Sequence, residues 1–193
     1  MPRAIREKSE ILPLIAETFR ALGYEGASFS QITRRTGISK GSLYHLFPGG
    51  KEQMAAEILA EINSWFVTNV YEPLETGEPE AALAHMWAQT SQYFHAGGRI
   101  CLVGAFALDA TRDHFRVAIQ GYFTRWVNAI AGCLARAGVE APAAAIFAEQ
   151  AVLGIQGGLM LARAINDENA FLRALARLAA AADALLACQN PLR

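Results

Sequence analysis

The chain holds only three cysteines, Cys101, Cys133 and Cys188, and no two of them form a Cys-x-x-Cys pair. An odd, widely spaced set argues against a disulfide framework and a cysteine metal site, and its apolar helical surroundings suit reduced thiols in a cytoplasmic protein. No apolar stretch reaches membrane length: the longest uninterrupted run covers about residues 100–108, against the roughly 20 residues that a span needs. No apolar run follows the basic start, as a secretory signal would require, so a membrane is not an expected partner. The Gly, Pro, Asn and Thr clusters that punctuate strands are scarce, which leaves little room for sheet. Also missing are a Gly-x-Ser-x-Gly nucleophile, a paired-histidine metal motif and a phosphate-cradling glycine loop. His85, His95 and His114 are scattered. Neither an enzyme nor a bound metal or cofactor is expected.

Alanine and leucine dominate the C-terminal two thirds, the composition of buried helices. With 193 residues the chain can bury one ordinary core and a small second module. The net charge of −1 hides an asymmetry: residues 1–51 carry eight Lys or Arg against four Asp or Glu, net +4, and residues 52–193 carry nine against fourteen, net −5. Every lysine lies at or before Lys51. A polyanion should therefore meet the N-terminal portion.

Hydrophobic spacing divides the chain into helices. Ile11, Leu12, Ile15, Phe19 and Leu22 recur at three- and four-residue steps and stop at Gly23. Pro13 requires this helix to begin near residues 9–12 or to kink there, which leaves Arg3, Arg6 and Lys8 as a basic arm. Ser28 followed by Gln31 makes a capping box for a short second helix that turns Phe29, Ile32 and Thr33 inward and ends at Gly37. Ser39 caps a third helix, about 40–47, with Leu43 and Phe47 inward, and Pro48-Gly49-Gly50 closes it. A fourth helix is expected over 51–71 and a linker-like break over 73–79. Five more are expected near 80–96, 99–110, 112–137, 142–165 and 167–188. The fold class is therefore all-α, with about nine helices.

Two short helices joined by a tight glycine turn, the second exposing Lys40, Gly41, Ser42, Tyr44 and His45, have the layout of a helix-turn-helix. The chemistry suits that role. Gly41 admits the DNA backbone, Ser39, Ser42 and Tyr44 offer hydroxyls to phosphate, and Lys40 and His45 can reach phosphate or a base edge. Lys51 and Ser28, at the starts of the fourth and second helices, can add phosphate contacts, whereas Arg34 and Arg35 read equally well as solvated surface.

The residues Gly23-Tyr24, Ala27-Ser28-Phe29, Ile32, Gly37-Ile38-Ser39-Lys40-Gly41-Ser42-Leu43-Tyr44-His45 and Phe47 resemble the DNA-binding signature of the TetR family of transcriptional regulators, over about residues 5–60. The continuation Phe47-Pro48-Gly49-Gly50-Lys51-Glu52 is similar to that of multidrug- and flavonoid-responsive repressors. Thr33 stands where the family usually has alanine, and Pro13 interrupts the first helix. The resemblance implies a DNA-binding domain over 1–52 and a ligand-binding and dimerisation domain over 53–193, in a homodimer that binds double-stranded DNA.

The aromatic and thioether stripes of the later helices, with Leu83, Phe115, Tyr122 and Phe123 among them, fit a plain core. Given the resemblance, Trp65, Phe66, Met86, Trp87, Thr90, Tyr93, Phe94, Phe106, Trp126 and Phe147 become the lining of a ligand cavity, with Gln150 as a polar anchor. The expected effector is a small, apolar or aromatic molecule. Gly154 and Gly158 give one face of the penultimate helix room for close approach, and with Leu161, Leu175, Leu178 and Ala182 they form the expected dimer interface. Two copies would then read an inverted repeat and leave it when ligand binds. A DNA-binding activator or architectural protein without ligand control is the alternative.

Overall fold

The computed structural model describes residues 7–189, and every regular element among them is helical. The segments are α1 (Lys8–Gly26), α2 (Phe29–Thr36), α3 (Lys40–Leu46), α4 (Gly50–Phe66), α5 (Glu72–Thr76), α6 (Pro79–Tyr93), α7 (Leu102–Ala107), α8 (Arg116–Arg136), α9 (Ala141–Ile165) and α10 (Asn169–Gln189). A π turn, Val67–Tyr71, joins α4 to α5 in one continuous rod. The chain forms two compact units. One comprises the stretch up to Asn63 together with Leu102–Ile119, and the other comprises Ser64–Cys101 and the stretch from Gln120 onward. The first unit thus extends past residue 52 and draws on two separate stretches of chain.

In the first unit α1 buries Ile11, Ile15 and Phe19 along one stripe. It starts at Lys8, earlier than expected, and runs through the exposed Pro13, forgoing the ladder bond that proline cannot donate. Its one non-helical residue is Gly23 (φ 71, ψ 174), so the glycine does break the helix, and a last turn continues to Gly26. Lys8 is not part of a free arm: its ammonium pairs with the Glu57 carboxylate and lies 4.7 Å from the Phe47 ring centroid. Arg3 and Arg6 lie outside the described residues.

The returning stretch supplies α7 and a 3₁₀ turn, Ala110–Phe115. Its Phe106 meets Phe19 and Tyr24 edge-on, each at 5.8 Å between centroids, and stacks with Phe115 at 5.6 Å. Phe106 is therefore core of the first unit and not, as its helical stripe suggests, a residue of the ligand cavity. The helix expected over 99–110 shortens to α7 because the Asp109 carboxylate accepts from both the backbone N–H and the hydroxyl of Thr111, at 2.8 and 2.7 Å, and starts a new turn.

In the second unit the expected linker over 73–79 is largely helix. Pro73 is the second residue of α5 and lies inside the continuous rod, which forgoes the ladder bond that proline cannot donate, and only Gly77 and Glu78 separate α5 from α6. Gly77 is required there, since a Cβ on it would lie 2.7 Å from the Pro73 carbonyl oxygen. Arg136 donates to the Leu74 and Gly77 carbonyls at 2.7 and 3.0 Å and holds the turn. Around Phe66 the rings of Tyr93, Tyr122 and Trp126 close in at 4.9, 4.8 and 5.1 Å. The Tyr71 hydroxyl donates to the Tyr122 carbonyl at 3.0 Å, and burial pushes the Tyr71 phenol far above its ordinary value.

Helices α9 and α10 pack along each other. A Cβ at Gly154 would fall 2.9 Å from Leu178 Cδ1, and one at Gly158 would fall 3.1 Å from the Ala174 Cβ. The glycines, with buried Leu175 and Ala182, therefore serve contact between α9 and α10 of the same chain rather than a face open to a partner. Helix α9 has 25 residues, and an 18-residue stretch of it has a mean hydropathy of 1.4, long and apolar enough to cross a membrane, but one of its faces is buried in the core.

Candidate nucleic-acid interface

Local chemistry builds the first helix starts. The Ser28 hydroxyl accepts from the Gln31 N–H at 3.3 Å, and the Ser39 hydroxyl accepts from the Ser42 N–H at 3.2 Å. Gly37, at φ 71, closes α2 and sets the turn into α3. Half of the expected capping box is present: the Gln31 side-chain oxygen takes the Arg34 guanidinium instead of returning to the Ser28 N–H.

These caps orient the two helices so that Leu43 and Phe47 are buried while Ser28, Ser39, Lys40, Gly41, Ser42, Tyr44 and His45 face outward together. Gly41 has no neighbouring atom within 4 Å of where a Cβ would stand, which leaves its backbone open to approach. Tyr44 is 46% exposed and stacks on Phe29, with ring centroids 4.5 Å apart and planes within 8°. The Lys40 ammonium lies 5.8 Å from the Tyr44 centroid. Arg34 and Arg35 are exposed on α2. Ser30, to which no sequence motif points, joins the site by a 2.9 Å hydroxyl contact with Ser28.

Lys51 is placed differently from the rest. Its side chain is 20% exposed, its ammonium donates to the Tyr24 carbonyl at 3.0 Å and lies 4.1 Å from the Tyr24 ring centroid, and the Glu25 carboxylate stands at 3.5 Å. Burial and the surrounding Glu52, Glu25 and Asp109 carboxylates push the Tyr24 phenol above its ordinary value. No pattern in the sequence signals this arrangement, because Tyr24 and Lys51 lie on opposite sides of the helix-turn-helix in the chain.

The residues expected to receive a ligand are only partly together. Trp65, Phe66, Tyr93, Phe94 and Trp126 share one aromatic cluster, with Trp65 and Tyr93 at 4.5 Å. Met86, Trp87, Thr90 and Phe147 are buried in the same unit. Gln150 is exposed on α9 and Phe106 belongs to the other unit, so neither joins them. Tyr122 joins the cluster against Phe66 and Trp126, although periodicity does not distinguish it from its neighbours. Its hydroxyl meets the Cys101 thiol, whereas Thr90 Oγ1 and Trp126 Nε1 are buried without a hydrogen-bonding partner. Among the described residues no three His, Cys, Asp or Glu side chains gather as a metal site would need.

Two family profiles match the chain. Residues 11–58 match the bacterial regulatory proteins of the tetR family, and residues 79–177 match the C-terminal domain of LmrA/YxaF-like transcriptional regulators. The HTH-type transcriptional regulator LmrA of Bacillus subtilis is 25% identical over 170 residues, which cover 86% of this chain and 90% of LmrA. YxaF of the same organism, an uncharacterized HTH-type transcriptional regulator, is 26% identical over 170 residues, 86% of this chain and 89% of its own. Among solved structures, a TetR transcriptional regulator from Legionella pneumophila superposes with a TM-score of 0.77 at 19% identity, covering 92% of this chain and 97% of that one. The TetR-family regulator CifR, solved with 26 bp of operator DNA, superposes with a TM-score of 0.66 at 22% identity, covering 96% and 98%. With its capped N-terminal helix pair and its helical C-terminal body both matched, the chain belongs to the TetR family of transcriptional regulators and carries that family's DNA-binding helix-turn-helix.

Proposed function

We propose that the protein is a ligand-responsive repressor that binds an inverted-repeat operator in double-stranded DNA as a homodimer, and that a small, largely apolar or aromatic molecule releases it. The DNA half rests on one observation: Ser39, Lys40, Gly41, Ser42, Tyr44 and His45 face outward while Leu43 and Phe47 anchor the same short segment in the core. A helix so anchored can lay its outer face in a major groove, with its hydroxyls and ammonium on phosphates and base edges. CifR, the neighbour solved with operator DNA, supports this use of the fold.

The homodimer reading is supported by α9, which turns Ile146, Leu153, Met160, Leu161 and Ile165 outward, with Gly157 free of neighbours among them. The positions repeat at helical spacing, and an apolar stripe of this length favours cover. A second copy of the same stripe fits it across a two-fold axis, which also pairs the two recognition helices. Leu161 keeps the interface role expected of it, and Gly154, Gly158, Leu175 and Ala182 support the face from beneath. The effector reading is supported by the second unit's interior: among the described residues its buried side chains carry no charge, and Thr90 Oγ1 and Trp126 Nε1 have no hydrogen-bonding partner. A buried polar group left unpaired costs roughly 1–3 kcal/mol, so a neutral molecule carrying both a donor and an acceptor gains by entering. A ligand that favours one conformation of the body weakens DNA binding by its differential affinity for that conformation. Such a regulator works in the cytoplasm, where the DNA is.

The test is fluorescence anisotropy with duplex from the protein's own upstream region. Two protomers per inverted repeat are expected, and Lys40→Ala lowers the salt slope by about one. Molecules that copurify, identified by mass spectrometry, are then added to the complex, and release is expected. No binding at low salt overturns the DNA half. Binding that no copurifying molecule alters favours an activator or architectural protein without ligand control.

A further inference from the structure

We infer that Phe29 is a positioning residue for DNA binding: its ring holds Tyr44 in one orientation, so that the phenol hydroxyl is presented before DNA arrives. This rests on the proposed role of Tyr44 as a backbone contact. The two rings are parallel within 8° at a centroid distance of 4.5 Å, the offset-stacked arrangement that aromatic quadrupoles favour. Phe29 is itself fixed. It is the first residue of α2, directly after the Ser28 cap, and Gly50 backs its ring: a Cβ at Gly50 would stand 3.8 Å from Phe29 Cε2 and Cζ. Gly50 adopts a left-handed φ of 68°, which keeps a side chain out of that place.

An exposed tyrosine on a DNA-facing helix normally surrenders its rotamer freedom when it binds. Here the stack removes that freedom during folding, so less is lost on association. Rotating the Tyr44 side chain away from its present direction also breaks the ring contact. Phe29 thus acts on DNA through Tyr44 without touching it, which distinguishes it from Leu43 and Phe47, whose burial supports the helix as a whole.

The experiment is a double-mutant cycle read by operator affinity, with the wild type, Phe29→Leu, Tyr44→Ala and the double variant, plus Phe29→Tyr, which keeps a flat ring. Thermal melts set a temperature at which all five are folded. Phe29→Leu is expected to weaken binding roughly two- to tenfold, to have no further effect in the Tyr44→Ala background, and Phe29→Tyr is expected to bind close to the wild type. An equal penalty for Phe29→Leu with and without Tyr44 overturns the inference and makes Phe29 a packing residue only. So does a weakened Tyr44→Ala protein alongside an unaffected Phe29→Leu. If Tyr44→Ala itself binds as the wild type does, the backbone-contact role of Tyr44 fails and the inference falls with it.

Discussion

The Lys51 ammonium touches a carbonyl, a ring and a carboxylate of the Tyr24–Glu25 pair. A DNA phosphate arriving there would compete with Glu25, so Lys51 is expected to contribute less to DNA affinity than its charge suggests and more to holding α4 against the end of α1. Asp109, in the same unit, shows how one short-range contact decides a boundary. Hydrogen bonds from the Thr111 N–H and hydroxyl hold the Asp109 carboxyl below the usual carboxylate range. A depressed folded value means that this stabilisation is present above the ordinary aspartate range and is lost as pH falls through the folded value. Asp109→Ala is expected to lose about 1 kcal/mol at neutral pH, with the difference from wild type shrinking below the ordinary aspartate range. Melts at several pH values check it; a difference that grows on acidification contradicts the assignment. Residue chemistry of this kind is legible in the sequence where it is local. The Ser28 and Ser39 caps act within three residues and can be read directly, whereas the Arg34 side chain that takes Gln31 cannot be foreseen from the capping pattern.

Among the elements, the rod from α4 through the π turn to α5 carries an instructive register. Its buried residues Phe66, Val70, Tyr71 and Leu74 stand at steps of four, five and eight from the first. Removing one residue between Phe66 and Val70 would bring them to three, four and seven, the stripe of an undisturbed α-helix. The π turn therefore absorbs one extra residue without rotating the rest of the rod. Deletion of the exposed Thr68 is expected to leave the fold and its melting temperature nearly unchanged. Deletion of Ala60, which is also exposed but lies in the regular part of α4, rotates the remaining stripe by about 100° and should abolish cooperative melting. Similar losses from the two deletions, by circular dichroism, would refute this account. The sequence predicts a helix over 51–71 and a linker after it because Pro73 and Gly77 signal breaks. It cannot show that the rod carries on through Pro73 with that ladder bond missing, nor that Arg136 closes the turn at Gly77 from far along the chain. The place of Phe106 escapes the sequence for a related reason: periodicity identifies the face of a helix that is buried, not the partner it is buried against.

For the whole molecule, the positive charge of residues 1–51 and the apolar stripe on α9 suit separate tasks. Leu153 and Met160 are 70% and 68% exposed, so changing both to lysine removes little packing within one chain. The double variant is expected to sediment as a monomer with a near-native melt, and to bind the inverted repeat far more weakly than the wild type. Leu108→Lys, at a residue 89% exposed in the first unit, is the control and should remain dimeric. A dimeric double variant rules out the α9 stripe as the interface.

The stretch Leu102–Ile119, which returns to the first unit and sets Phe106 and Phe115 against Phe19 and Tyr24, bears on how the protein is made. Domains usually fold from the amino end as the ribosome releases them. Here the reading head cannot complete its core until Ile119 has emerged, by which time Ser64–Cys101 is already outside the exit tunnel. A nascent chain halted before that point would carry the DNA-reading helices over an uncovered aromatic floor, so newly made protein acquires a finished head only after much of its body has been synthesised.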